Sequence, residues 1–299
     1  MNDFLIKGTL MGLTKEQVFS DFKIFVSSLH TVMENWASHN FFQTGEIKGE
    51  YPLHVKKSYG EVRQAIIAME TDIHFLSVCY HQFQHTELDD NLDNGIKSLY
   101  FTNLTESYFT NLRSIYDRLA TFPRIVLSDD ELKSDGLNKD SFNSLVKSCK
   151  FSAAAKAAYS TEILDMIFAI DVDLQNVRLI RDAIIHHGKE PIVINDKGRG
   201  LTLKIPSSIG NYSSANVLPN ILNLDNDEYP LYDYLREITL RLLINMEEMG
   251  NLLGHYYFNS LGEESQIYYY GLAGQCMETY LKFLFPKGIK THIALKNIS

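Results

Sequence analysis

With 299 residues, 45% of them apolar and 22% charged, the chain can bury one large core or two modest ones. Its 37 acids outweigh 28 basic residues to give a formal net charge of -9. That balance excludes the broad basic footprint of a protein that coats nucleic acid indiscriminately, so any RNA contact has to be local.

The first helix is predicted over about residues 14–39. Thr14 and Gln17 form a capping-box pattern, and Val18, Phe22, Phe25, Val26, Leu29, Met33 and Trp36 form an apolar face. Residues 41–57, with Gly45, Gly49 and Pro52, read as a loop. A second helix is expected over about 58–85, its face made by Val62, Ala65, Ile66, Met69, Ile73, Phe75, Leu76 and Tyr80. The acidic run 87–95 separates it from a third helix over about 96–121, rich in aromatics at Tyr100, Phe101, Tyr108, Phe109 and Tyr116. A polar loop at 128–138 precedes a short helix near 139–149, and a long helix follows over about 160–187. Residues 192–205 then read as two short strands around a glycine turn at Gly198-Arg199-Gly200, and 206–229 as a linker. The last strong helix runs from about 232 to 258, with Leu235, Ile238, Leu242, Leu243, Met246, Met249 and Leu252 on its face, and one more is expected within 265–285. The fold class is therefore all-α, a helical bundle with extra N-terminal helices and a small β-hairpin after the fourth long helix. Residues 1–90 form an N-terminal helical pair packed on the bundle of residues 91–299, in one continuous unit.

No apolar run approaches the roughly 18 residues of a membrane span, and residues 1–13 hold an early acid without a basic leader region. No signal peptide and no membrane contact are expected. Cys79, Cys149 and Cys276 are odd in number and show no CxxC spacing, so they read as reduced, buried cysteines of a cytoplasmic protein.

The helix over 160–187 carries chemistry-capable residues where the others carry filler. Ile163, Ile167, Ile170, Leu174, Val177 and Ile184 make one apolar stripe. The same register puts Arg181 on that stripe, where a guanidinium must find an anion or reach out to water. His186 and His187 fall in the last turn, Gly188 suits the position after the helix, and Pro191 prevents its continuation. Arg181 and His186 spell Arg-x4-His, with polar Asp182 directly after the arginine.

On these residues the chain resembles the HEPN superfamily, small all-helical domains that carry Arg-x4–6-His late in a long helix. The resemblance covers the helices from about 95 to 258. It implies a homodimer in which the motif helices meet, and in many members cleavage of RNA without a metal. Carried to this sequence, it implies Arg181, His186 and Asp182 as catalytic residues, with Arg178, His187 and Lys189 contacting the substrate. No metal or cofactor is expected. It further implies a place in defence or toxin–antitoxin systems, with an antitoxin or nucleotidyltransferase as a partner. The chemistry suits the residues, because an imidazole transfers protons near neutral pH and a guanidinium matches phosphate oxygens in two-pronged fashion.

Two readings stay open. Five positions on an α-helix amount to about 140° of rotation, so Arg181 and His186 are not neighbours unless the last turn re-aims His186 or a second copy supplies its partner. Alternatively, Arg178 and Asp182 make an i,i+4 pair and the histidines only complement the helix end, leaving a catalytically silent helical module that binds a protein or a nucleotide.

Other constellations are weaker. Residues 178–204 hold six basic residues (Arg178, Arg181, Lys189, Lys197, Arg199, Lys204) against three acids, a locally positive segment in an acidic chain. His74, His81 and His85 share roughly one helical face, but with no acid between them as in HExxH they read as a polar or dimer surface. Arg113 and Asp117 stand at i,i+4, and Asp117 or Tyr116 is a candidate to steady Arg181 from the neighbouring helix. No Gly-rich phosphate loop and no GxSxG occur.

Overall fold

The computed structural model describes residues 24–25, 27–43, 53–132, 137, 141–187, 192–196, 198, 200–204, 224, 228–259, 272–273 and 276–286. It is mostly helical, with a small three-stranded antiparallel sheet. In chain order the elements are β1 (Ile24–Phe25), α1 (Ser28–Gln43), α2 (Leu53–Leu88), α3 (Asn94–Leu119), a 3-10 turn (Phe122–Val126) and α4 (Asp129–Leu132). There follow α5 (Phe142–Phe151), α6 (Ala153–Ala158), α7 (Thr161–His187), β2 (Ile192–Asp196), β3 (Gly200–Lys204), β4 (Glu228–Pro230), α8 (Leu231–Asn259), β5 (Leu272–Ala273) and α9 (Met277–Leu284).

Most helix starts are set by a side-chain oxygen that accepts an otherwise orphaned backbone N–H. Asp93 accepts from Ile96 N at 2.9 Å, Ser141 from Ser144 N, Ser152 from Ala155 N, and Ser160 from Ile163 N at 3.4 Å. The first helix departs from the expected range for the same reason. Ser27 Oγ accepts from His30 N at 3.1 Å, so α1 starts at Ser28, while Ile24 and Phe25 are extended and pair with Ala273 and Leu272. The apolar spacing of Phe22, Phe25, Val26 and Leu29 imitates a helical stripe across that break. Thr14 and Gln17, with Gly45, Gly49 and Pro52, lie outside the described residues.

Cross-helix contacts fix the directions of the long helices. His30 meets Glu70 and Glu34 meets Arg63, so α1 and α2 are antiparallel. Phe83 stacks on Phe101 and Arg124 reaches Glu61 at 2.7 Å, so α2 and the α3 arm are antiparallel too. Tyr108 meets Thr239 and Tyr116 meets Asn245, while Ser28 binds Glu247 and Asn35 O accepts from Tyr257, which sets α3 and α1 parallel to α8. Helix α7 runs the opposite way, in contact with both α3 and α8. Asp173 on it meets Asn245, and Ser160 at its start accepts from Tyr256.

The buried side chains form one cluster drawing on α1, α2, α3, α5, α7, α8, α9 and the sheet. Of the aromatics expected on the third helix, Phe101, Tyr108, Phe109 and Tyr116 are buried, whereas Tyr100 is 52% exposed. Gly250 marks a close approach of α8 to α1: a Cβ there would stand 2.0 Å from Leu29 N.

The hairpin forms in register Ile192↔Lys204 to Asp196↔Gly200, with Gly200 at φ +77° in its turn. Its inward residues Val193, Leu201 and Leu203 are buried. A third strand, β4, pairs Tyr229 with Leu203, so the end of the expected linker is sheet. Three residues are too few to show a period of two in sequence. The sheet lies on α3, where Ser98 donates to Val193 O and Thr102 accepts from Val193 N.

Candidate functional site

Helix α7 is the element that carries the Arg-x4-His residues, and the expected stripe is its buried face: Ile163, Ile167, Ile170, Leu174 and Val177 are buried, and Ile180 joins them. Helix α5 lies alongside, antiparallel, tied at one end by Lys150 to Asp171 (3.2 Å) and at the other by Arg178 to Asn143 (3.1 Å). On the other flank Asp173 accepts from Arg241 at 3.3 Å and from Asn245 at 3.0 Å, and Arg241 also pairs with Glu237. Tyr116 is buried beside this group. Burial pushes its hydroxyl above the tyrosine range, and the Asp173 carboxylate adds to the shift.

Arg181 sits half-buried on α7, less than two turns before the helix ends at His187. Asp182, His186 and His187 occupy the last turns of the same helix; their side chains, and Lys189 entirely, lie outside the described residues. Because the α-helix is continuous through His187, Arg181 and His186 hold register positions about 140° apart, with no break between them to alter the register. Arg178 donates to Asn143 Oδ1 and, at 3.5 Å, to Gln175 Oε1. Of the other cations in the locally positive segment, Lys204 lies 3.9 Å from Glu228, and Lys197 and Arg199 are outside the described residues.

The Arg113–Asp117 pair forms, at 2.5 Å. Asp117 Oδ1 also accepts from Phe142 N at 3.2 Å, so its carboxylate ties the end of α3 to the start of α5. His81 and His85 meet at 3.0 Å on an exposed face, and His74 is half-buried on the same helix. Among the described residues they acquire no third ligand. The three cysteines are free thiols; Cys79 and Cys149 are buried as expected, while Cys276 is only partly so. Among the described residues no helix is long and apolar enough to cross a membrane.

Sequence reasoning did not single out His30, Glu34 and Glu70, which the fold brings together between α1 and α2. Its one local signal is His30-x3-Glu34, and the third member lies on the next helix.

Comparison of the chain with protein-family models, with curated proteins and with solved structures finds no match.

Proposed function

We propose that this protein is a metal-independent endoribonuclease of HEPN type that works as a homodimer. The observation carrying the reading is Arg181-x4-His186 in the last turns of an unbroken helix that packs among α3, α5 and α8 and leads into a hairpin. Helix continuity favours the dimeric form of the site, since residues about 140° apart on one helix come together most simply when a second copy supplies one of them. Arg181 holds the scissile phosphate and neutralises charge growing on its oxygens. One His186 takes the proton from the 2′-hydroxyl as that oxygen bonds to phosphorus. The partner subunit's His186 protonates the 5′-oxygen as its bond to phosphorus breaks, leaving a cyclic phosphate. Asp182 orients one of these groups, and Arg178, His187 and Lys189 hold the flanking backbone. A role in defence, with an antitoxin or nucleotidyltransferase partner, follows from the same resemblance.

A second reading, a silent helical module binding a protein or a nucleotide, draws support from Arg178 and Lys204. Their contacts to Asn143 and Glu228 engage two cations of the positive segment with the protein itself.

The test is cleavage of mixed RNA by purified protein in excess EDTA, beside Arg181→Ala, Arg181→Lys and His186→Ala. Cyclic-phosphate ends in EDTA, with turnover falling about 10²–10⁴-fold in each variant while the dimer persists, is the expected result. Equally folded proteins that never cleave would transfer the assignment to the binding module.

A further inference from the structure

We propose that the α1–α2 interface holds a binding site for one divalent first-row transition ion of the zinc class, with His30, Glu34 and Glu70 as ligands. His30 and Glu34 stand one turn apart on α1, and Glu70 faces them from the antiparallel α2. One ligand atom from each lies within 4.8 Å of the other two. His30 Nε2 is already 2.5 Å from Glu70 Oε1. Donors bound at about 2.1 Å sit about 3–3.5 Å apart in a tetrahedral or octahedral shell. Small turns of the two glutamate side chains therefore close the set without moving either helix.

Burial separates this cluster from an ordinary surface group of acids. His30 is 2% exposed and Glu34 6%, and placing a carboxylate there is costly unless a cation accompanies it. Arg63 supplies one cation, through its contact with Glu34. Among the described residues, Glu34 and Glu70 set two carboxylates against that one guanidinium, an excess of one carboxylate. A divalent ion answers that excess, and it binds the Nε2 lone pair of the Nδ1–H tautomer of His30, with no change in the number of protons on the ring. The route in is open on the α2 side, where the Glu70 side chain is 26% exposed and that of Arg63 40%. An imidazole ligand favours zinc or ferrous iron over magnesium or calcium. Three protein ligands leave a fourth position for water. The bound ion would fasten α2 to α1, which is itself held to α8 by Ser28–Glu247 and the Gly250 contact.

The experiment uses the full chain stripped with chelator. Cobalt(II) is followed by its visible absorption, zinc by calorimetry, and magnesium serves as the control. One cobalt or zinc per chain is expected, with Tm rising on the order of 5 °C at a hundredfold excess over Kd. Binding disappears in His30→Gln and in Glu70→Gln. Glu70 is partly exposed and the change keeps its shape, so that variant decides if His30→Gln does not fold. Arg63→Ala retains or strengthens binding, because the ion then becomes the only cation beside Glu34. The double variant His81→Ala, His85→Ala binds as the parent does. Absence of saturable binding in both the parent and Arg63→Ala overturns the proposal. So does binding that survives Glu70→Gln or vanishes in the double histidine variant.

Discussion

The buried hydroxyls show how much a single side chain can carry in this bundle. Thr239 Oγ1 donates to Leu235 O at 2.7 Å, so its hydrogen is committed and it accepts from Tyr108 at 2.7 Å. Tyr108, having given its hydrogen to Thr239, accepts from Tyr280 at 2.6 Å. The chain is thus directed, Tyr280 to Tyr108 to Thr239, and it crosses α9, α3 and α8. Tyr108→Phe takes from the buried Tyr280 hydroxyl the acceptor it donates to and should cost about 1–3 kcal/mol. Tyr280→Phe removes only the first donor and should cost less. Urea unfolding of both variants checks the order; equal losses would contradict the direction assigned here. The same logic explains what was legible of the sites. Arg181, Asp182 and His186 are visible in sequence because they share one helix end. Glu70 is forty positions from His30, and only the antiparallel packing of α1 on α2 joins them. No local spacing encodes that.

At the scale of elements, periodicity located the helices and caps set their ends. The helices expected over 96–121, 160–187 and 232–258 appear as Asn94–Leu119, Thr161–His187 and Leu231–Asn259. Each starts near a polar residue or a proline that punctuates the pattern. The first helix is misread because its apolar spacing runs through a two-residue strand, and β1 pairs with a segment nearly 250 positions away. Pairing of that kind leaves no trace in local pattern. Gly250 is another feature hidden from periodicity, because an unremarkable helical glycine becomes decisive only where two helices touch. A Cβ there would come within 2.0 Å of Leu29 N and 2.4 Å of Ser28 C, both backbone atoms that no rotamer change can move. Gly250→Ala should therefore force α1 away from α8 and cost about 1–3 kcal/mol, although alanine is the better helix former. The counter-result is a melting temperature equal to or above that of the parent.

For the whole molecule, the core is rich in groups that ionise only in alkali, and it resists their ionisation. Burial raises the thiols of Cys79 and Cys149 from an ordinary 9.0 to about 11. It raises Tyr108, Tyr159, Tyr232 and Tyr280 above their ordinary 10.0; the hydrogen bonds of Tyr108 to Thr239 and Tyr280 oppose the shift there, while Cys149, Glu87 and Tyr108 add to it at Tyr159, Tyr232 and Tyr280 in turn. A raised value means that the folded state keeps its proton while the unfolded chain gives it up. Stability is then complete below about pH 9, where both states are protonated, and falls as pH climbs through the folded values. Each cysteine accounts for on the order of 2 kcal/mol between pH 9 and 11, and the tyrosines add to the slope above pH 10. Against a total stability of roughly 5–15 kcal/mol, that loss is enough to unfold the bundle near pH 11. Trp36, the single tryptophan, packs against the core and reports the transition by fluorescence, while tyrosinate absorbance reports ionisation. The fluorescence change and the part of the tyrosinate signal that comes from the buried hydroxyls should rise together in one cooperative step. The thiols of Cys79 and Cys149 should stay closed to a disulfide reagent at pH 8 and open in that same step. Tyrosinate absorbance complete well before the fluorescence change would mean that the buried hydroxyls titrate within an intact fold. The alkaline loss of stability would then need another source.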